Sequence, residues 1–287
     1  MNAIIFGANG QDGRYLTNLL LSKKIEVIGI TRDDNIDMRN FNEIKKIIDL
    51  YKPEYIFHFA ANSVTAHDAL LKNHDVITTG SINILESVRA CSPLTKIFLS
   101  GSGLQFKNEG NPIKETDSFD FSSAYSMSRI QSVIAARYFR RLGIRTYIGY
   151  FFNHDSPLRT ERHISQKVIS AVKRISLGSN EKIEIGDISV KKEWGFAGDI
   201  VNAIWTFIQQ DEFMEATIGT GEAYSIQNWL EICFSIVGKN WKEYFVSKEN
   251  FTAEYNILVS DPSTIFSLGW RPETTFQQLA QMMLVNS

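Results

Sequence analysis

The strongest constraint on this chain is a set of three spaced glycines between a buried strand and a helix. Asn2-Ala3-Ile4-Ile5-Phe6 is a short apolar run suited to a parallel strand, and Tyr15, Leu16, Leu19 and Leu20 fall on one helical face just beyond it. Gly7, Gly10 and Gly13 stand between the two. Each serves a different purpose in that place. Gly7 permits the tight turn, Gly10 lets the backbone approach a pyrophosphate without a Cβ in the way, and Gly13 lets helix and strand pack closely. Free N–H groups around Asn9, Gln11 and Asp12, at the positive end of the helix, would receive the phosphates. The spacing predicts a dinucleotide site, and the alternative is a glycine-rich turn that binds nothing.

With 287 residues the chain has room for one large α/β domain and a smaller lobe. A net charge of −2 gives no general drive toward nucleic acid or an anionic membrane, so neither is expected as a partner. No apolar run approaches membrane-spanning length, and a start that is already a core strand leaves no room for a signal peptide. Cys91 and Cys233 lie in helix-patterned stretches without metal-ligand spacing. Buried thiols in a reduced, cytoplasmic setting are the expectation.

Residues 25–30 read as a second strand. Beyond such a strand a dinucleotide fold places an acid for a free ribose 2′-hydroxyl or an arginine for a 2′-phosphate. Thr31-Arg32-Asp33-Asp34 offers both: Arg32 argues for NADP, the cofactor favoured, and Asp33 for NAD, the alternative. A helix carrying Phe41, Ile44, Ile47, Ile48 and Tyr51 follows after a short link containing Asp37, which leaves little room for a separate third strand. Residues 55–61 form the next buried strand, with His58 reading as a hydrogen-bonded core histidine. Residues 76–88 predict a helix and 96–100 another strand. This alternation predicts an α/β fold, a Rossmann-type doubly wound parallel sheet in residues 1–150. Residues 151–287 would form mainly a smaller mixed α/β substrate lobe, with some segments returning to the first domain.

In such sheets chemistry lies beyond the carboxyl ends of the strands. Ser100-Gly101-Ser102-Gly103-Leu104 follows one strand, and Ser123 to Arg129 opens a long helix whose apolar face includes Ile130, Val133, Ile134 and Phe139. Tyr125 and Arg129, four apart, share one face of it. A phenol beside a fixed cation can exchange protons near neutral pH, whereas the plain alternative is an ordinary tyrosine and arginine on an amphipathic helix.

These residues carry a family likeness. The glycine spacing, Ser102 and Tyr125 resemble an extended short-chain dehydrogenase/reductase of the NAD-dependent epimerase/dehydratase kind. Gly10-Gln11-Asp12-Gly13-Arg14-Tyr15-Leu16, Phe152-Asn153-His154-Asp155-Ser156-Pro157, Glu193-Trp194-Gly195 and Leu268-Gly269-Trp270-Arg271-Pro272 look like the GDP-mannose 4,6-dehydratase branch. The resemblance implies that Ser102 hydrogen-bonds the sugar oxygen and that Tyr125 is the acid/base. It further places Asn153, Lys167 and Glu254 at the nucleotide sugar, Asp37 near the cofactor adenine, and Ala60, Ala61 and Asn62 alongside the cofactor.

Departures from the family pattern bear on mechanism. Arg129 stands where the family has lysine; it can hold the nicotinamide ribose but is bulkier, forked and no proton relay. Leu104 stands where dehydratases carry the acid that removes the C5 proton and expels the C6 hydroxyl, and Glu109, the nearest acid downstream, reads as a surface residue. Lys192 and Phe251 replace expected arginines. The segment after the second strand is shorter than the dehydratase arm that reaches a neighbouring subunit, so a tetramer of that kind is not expected. A homodimer through the helices at 76–88 and 130–139 is what the wider superfamily implies.

In the second half, Ile164, Val168, Val172 and Ile175 mark a helix, residues 182–185 a strand, and Ile200, Ile204, Trp205 and Ile208 another helix. Trp229, Ile232, Cys233 and Ile236 pattern as helix core, as do Leu279, Met282 and Met283. Lys167, Lys191 and Lys192 are available for a diphosphate. His154 and His163 share no third ligand at metal-binding spacing, so no metal is expected. Together with the dinucleotide site, the resemblance implies an NAD(P)-dependent enzyme acting on a GDP-linked hexose. With Leu104 in the acid's place, hydride transfer at C4 by a 4-keto reductase or epimerase-like enzyme is the first reading. The alternatives are 4,6-dehydration with another acid, and a nucleotide-binding protein without chemistry.

Overall fold

The structure is a computed structural model and describes residues 1–34 and 36–286. Its first half alternates β1 (Asn2–Phe6), α1 (Gln11–Ser22), β2 (Glu26–Ile30), α2 (Phe41–Tyr51), β3 (Tyr55–His58), α3 (Leu70–Asn73), α4 (Gly80–Cys91), β4 (Lys96–Ser102), α5 (Ala124–Arg141) and β5 (Thr146–Phe151). Beyond it come β6 (His154–Asp155), α6 (Ile164–Ser176), β7 (Ile183–Ile185), β8 (Lys191–Glu193), β9 (Gly195–Phe196), α7 (Ala197–Ile208) and β10 (Glu215–Ile218). The chain ends with β11 (Ala223–Ser225), α8 (Ile226–Ile236), β12 (Phe245–Ser247), β13 (Ile257–Leu258), α9 (Ser263–Ser267) and α10 (Phe276–Asn286).

Six strands form a parallel sheet in the order β10-β5-β4-β3-β1-β2. Side chains alternate across it, so each strand feeds two cores. Ile4, Ile56, Ile97 and Ile148 face Ile44, Ile84 and Val133 of α2, α4 and α5. Ile5, Phe57, Phe98 and Tyr147 face Leu16 and Leu20 of α1 and Ile200, Ile204 and Phe207 of α7. A third core joins α6, α8 and α10 around Trp194 and Trp229, whose rings stack with centroids 4.5 Å apart. Among the described residues, no helix is long and apolar enough to cross a membrane.

The doubly wound sheet is the one read from the sequence, and β2 is its edge: the described residues of the short link after it form no strand. β10 and α7, far past residue 150, complete the sheet and its second layer. Some local expectations fail. Ile134, assigned to the buried face of α5, is 57% exposed, because that face belongs to Ile130, Val133 and Phe139. Tyr51 and Ile236 likewise point outward, and Cys91 is half-buried rather than buried. β4 runs two residues further than expected, so Ser102 ends the strand instead of following it. The helix read from residue 76 begins earlier: from α3 the chain passes through a π-helical turn, His74–Thr79, into α4. His58 is a buried core histidine whose Nε2 lies 3.2 Å from the Val76 carbonyl of that turn.

Candidate active site

The glycine turn owes its shape to backbone contacts. Gly7 has φ +92, and a Cβ there would lie 2.7 Å from Ala60 N. A Cβ on Gly13 would stand 2.4 Å from the Gly7 carbonyl oxygen, whereas at Gly10 the one near contact is that same oxygen at 3.2 Å. Both Gly7 and Gly13 are therefore fixed by the fold, while Gly10 is left as the open approach. Gly10 also heads α1 without any side-chain cap, so among the described residues the first N–H groups of the helix have no capping side-chain acceptor. This is an anion cradle that the chain itself does not fill, and it fits the diphosphate of a dinucleotide.

From the cradle a cleft of about 460 Å³ runs along the carboxyl ends of β4 and β5, lined by Ser102, Tyr125, Arg129 and Asn153 as well as by Asn9, Gln11 and Asp12. A second cavity of about 710 Å³ shares Gly7, Asn9, Gly10 and Ala61 with it and adds Arg32, Asp33, Asp37 and Ala60. The shared residues make the two cavities one continuous groove. Asp37 is already held by Arg39, which chelates its carboxylate at 2.7 to 3.0 Å, whereas Arg32 is exposed and has no ion pair among the described residues. Asn62 does not join the site: it is half-buried next to Ala61 and lines neither cavity.

Local capping positions the reacting side chains. Ser102 accepts the Leu104 N–H at 3.2 Å, and Gln105 accepts the Ser102 N–H at 2.9 Å, which fixes the end of β4. Ser123 caps α5 through the Ser126 N–H at 3.0 Å, so Tyr125 occupies the first turn and Arg129 stands one turn on. Arg129 is 5% exposed; its Nε–H donates to the Tyr125 phenol oxygen at 3.1 Å, and Nη1 donates to Ser100 Oγ at 2.9 Å and to the Ser100 carbonyl. Among the described residues no carboxylate comes within ion-pair distance of it. With one lone pair of the phenol oxygen taken by Arg129, the phenolic hydrogen is directed elsewhere, available to a ligand oxygen in the cleft. Burial, and then the Arg129 charge, hold His58 neutral by pulling its pKa down to about 3.

Asn153 Oδ1 is buried with no partner among the described residues, an unsatisfied acceptor in the cleft wall. Lys167, Lys192 and Glu254 line a neighbouring cavity of about 480 Å³. Lys167 Nζ donates to the Glu184 carbonyl at 2.5 Å, and Glu254 accepts from Thr65 Oγ1 at 2.8 Å. Lys192 is buried, with Nζ 4.4 Å from the Trp194 ring centroid; burial pulls its pKa down against the opposing charge of Asp155. Lys191, the next residue on β8, is exposed and lines none of these cavities. Phe251 lies across Gly186 in this cavity, where a Cβ on Gly186 would meet its ring at 2.2 Å.

Leu104 lines the cleft, and Glu109 is an exposed residue paired with Lys107 at 2.5 Å. Among the described residues, the one carboxylate lining the cleft is Asp12, which is bound to His154 at 2.9 Å. Sequence reasoning missed Arg159, Arg162 and His163 as cleft residues. Arg159 Nη2 donates to the His154 carbonyl at 2.8 Å, and its Nε is 3.3 Å from Asp155. Two arginines soon after Pro157 were the available signal, but in a sequence they look like ordinary solvated charge. Among the described residues, no group of three His, Cys, Asp or Glu side chains could hold a metal ion.

This fold is that of Rossmann-type epimerases and dehydratases of known structure. It superimposes with TM-score 0.89 on the structure of RMD from Pseudomonas aeruginosa complexed with NADPH, at 17% identity over 99% of this chain and 98% of that one. It matches a Thermus thermophilus UDP-glucose 4-epimerase complexed with NAD at TM-score 0.84, with 19% identity over 100% and 98% of the two chains. Residues 34–283 match the sequence model of GDP-mannose 4,6 dehydratase. An Arabidopsis thaliana protein named GDP-mannose 4,6 dehydratase 2 is 31% identical over 98% of this chain and 85% of its own length. The chain belongs to the GDP-mannose 4,6-dehydratase family.

Proposed function

We propose that the chain is an NAD(P)-dependent enzyme that modifies a nucleotide-linked sugar, with a GDP-linked hexose as substrate, and that it acts first at C4. The observation that carries this reading is the Tyr125 phenol, anchored by buried Arg129 in a cleft continuous with the glycine cradle. A bound nicotinamide dinucleotide would supply the hydride acceptor and donor; the cradle, Arg32 and the Ala60–Ala61 wall would hold it, and Arg32 favours NADP. Ser102 orients the C4 oxygen, Tyr125 exchanges its proton, and Arg129 keeps the phenol in place. Asn153, Lys167, Lys192 and Glu254 bind the nucleotide sugar, with the two lysines toward its diphosphate.

Within that class, the family match over residues 34–283 and the shared name of the relatives support 4,6-dehydration over the C4 reductase or epimerase-like reading that the sequence alone puts first. One observation favours the reductase or epimerase-like reading: Leu104 and the absence of a free carboxylate among the described cleft residues leave elimination without its usual acid. Incubating the purified chain with GDP-mannose or its 4-keto-6-deoxy derivative, with NADP(H) and NAD(H), separates them by mass spectrometry. Loss of water from GDP-mannose without net cofactor use supports the dehydratase. Reduced cofactor consumed with the keto sugar supports the reductase. Dinucleotide bound with neither sugar changed overturns the GDP-hexose reading and points to another nucleotide sugar or to a non-catalytic binder. We also propose a homodimer through α4 and α5, where Ile82, Ile134 and Tyr138 are exposed.

A further inference from the structure

The glycine cradle contains its own negative charge. Asp12 sits in the first turn of α1, where a carboxylate complements the helix dipole and would oppose a diphosphate at the same N–H groups. Its carboxylate is instead occupied by side chains: it accepts from His154 Nε2 at 2.9 Å and from Gln11 Nε2 at 3.2 Å. His154 Nδ1 lies 2.8 Å from the Phe152 carbonyl, which can only accept. Both ring nitrogens thus face acceptors, and the ring that satisfies both is the doubly protonated imidazolium. Burial opposes both charges, but the His154 charge and hydrogen bond hold Asp12 well below the usual carboxylate range, and Asp12 raises His154 in return. Arg159 and Asp155 are the other charged groups facing this ring. Next to it Ser156 Oγ donates to Gln11 Oε1 at 2.8 Å, so the side chains of both residues that open α1 are occupied by the segment after β5.

We infer that His154 is a positioning residue for the cofactor: it neutralises and holds back Asp12, keeping the α1 cradle open to the diphosphate of a dinucleotide. The inference rests on the proposed dinucleotide site and adds a role for a residue that does not line the adenosine end. The neutral pair is supplied from the far side of the cleft, so the cradle is electrically complete only when the segment around β6 is docked on α1.

The test measures the Kd of the full chain for NADPH and for adenosine 2′-monophosphate, which lacks the diphosphate, in wild type, His154→Gln, Asp12→Asn and the double variant, with circular dichroism to verify folding. His154→Gln should weaken NADPH by at least about tenfold, because it strands a half-buried carboxylate without its counter-charge, and leave the monophosphate within about threefold. Adding Asp12→Asn should return NADPH to within about threefold of wild type. Equal loss of both ligands in His154→Gln, no loss at all, or no recovery in the double variant would overturn the inference. Should His154→Gln not fold, Asp12→Asn alone decides: near-wild-type NADPH affinity supports the role, and a loss of about tenfold overturns it. A wild-type chain that binds neither NADPH nor NADH overturns the dinucleotide reading itself, and that result is visible before any variant is made.

Discussion

The two ends of the cleft are built by different means. At the glycine cradle the backbone makes the site: Gly7 and Gly13 are held by contacts within 3 Å that any side chain would violate. At the Tyr125 end three side chains make it, and the cation among them, Arg129, is buried with oxygen partners from a serine, a carbonyl and the phenol and, among the described residues, no acid. A site made of backbone is as stable as the strand and helix that flank it. A site made of side chains can be redirected by one substitution, and the family resemblance implies that Leu104 and Arg129 are departures of that kind.

The comparison can be broken at its chemical end first. Tyr125→Phe should lower turnover of the nucleotide sugar by at least about a hundredfold while leaving NADPH affinity unchanged; retained activity in steady-state assays would remove the tyrosine from the mechanism. Next, Arg129→Met should lower turnover by about tenfold or more and Arg129→Lys by less, since lysine keeps the charge and loses the fork that spans Tyr125 and Ser100. Equal losses would mean that shape, not charge, matters there.

At the backbone end, Gly13→Ala should destabilise the fold by about 1 to 3 kcal/mol in urea unfolding, because the added methyl overlaps the Gly7 carbonyl. It should also weaken dinucleotide binding, whereas Tyr125→Phe should leave stability alone. Between the two ends, His58 gives a pH signature. Its pKa is pulled to about 3 in the fold from an ordinary 6.5, so the unfolded chain binds the extra proton. The stability it contributes is full above about pH 6.5 and is lost as the pH falls toward 3, about 2 kcal/mol of it by pH 5. His163, held down to about 4 chiefly by burial, acts in the same sense. Urea midpoints at pH 7 and 5 should therefore differ more in wild type than in His58→Gln. The smallest effect on chemistry is expected from Ile134→Glu, which should shift sedimentation toward monomer with turnover little changed; an unchanged sedimentation profile would discard the α4–α5 dimer.

The sheet was legible because its strands are apolar runs and its helices have period-3.6 faces, and both signals are local. The short link after β2 implied no separate strand, and its described residues form none. Ile134 was misplaced because a helix face can be read only to within about one residue's rotation, and the partner layer decides which neighbour is buried. Lys191 and Lys192 were equivalent as letters; the pleat of β8 sends one outward and the other under Trp194.

Spacing along the chain was enough to dictate the strand–glycine–helix cradle and the helical pairing of Tyr125 with Arg129, since both follow from separations of three or four residues. What surrounds them was settled by packing. Packing brought Arg159 and Arg162 to the cleft, bound Asp12 to His154 across 142 positions of chain, and left Asn153 with an unmet acceptor. The physical reason is that hydrogen-bonded turns and helix faces are set by neighbours in sequence, whereas burial and charge pairing depend on which distant segments the packed cores bring together.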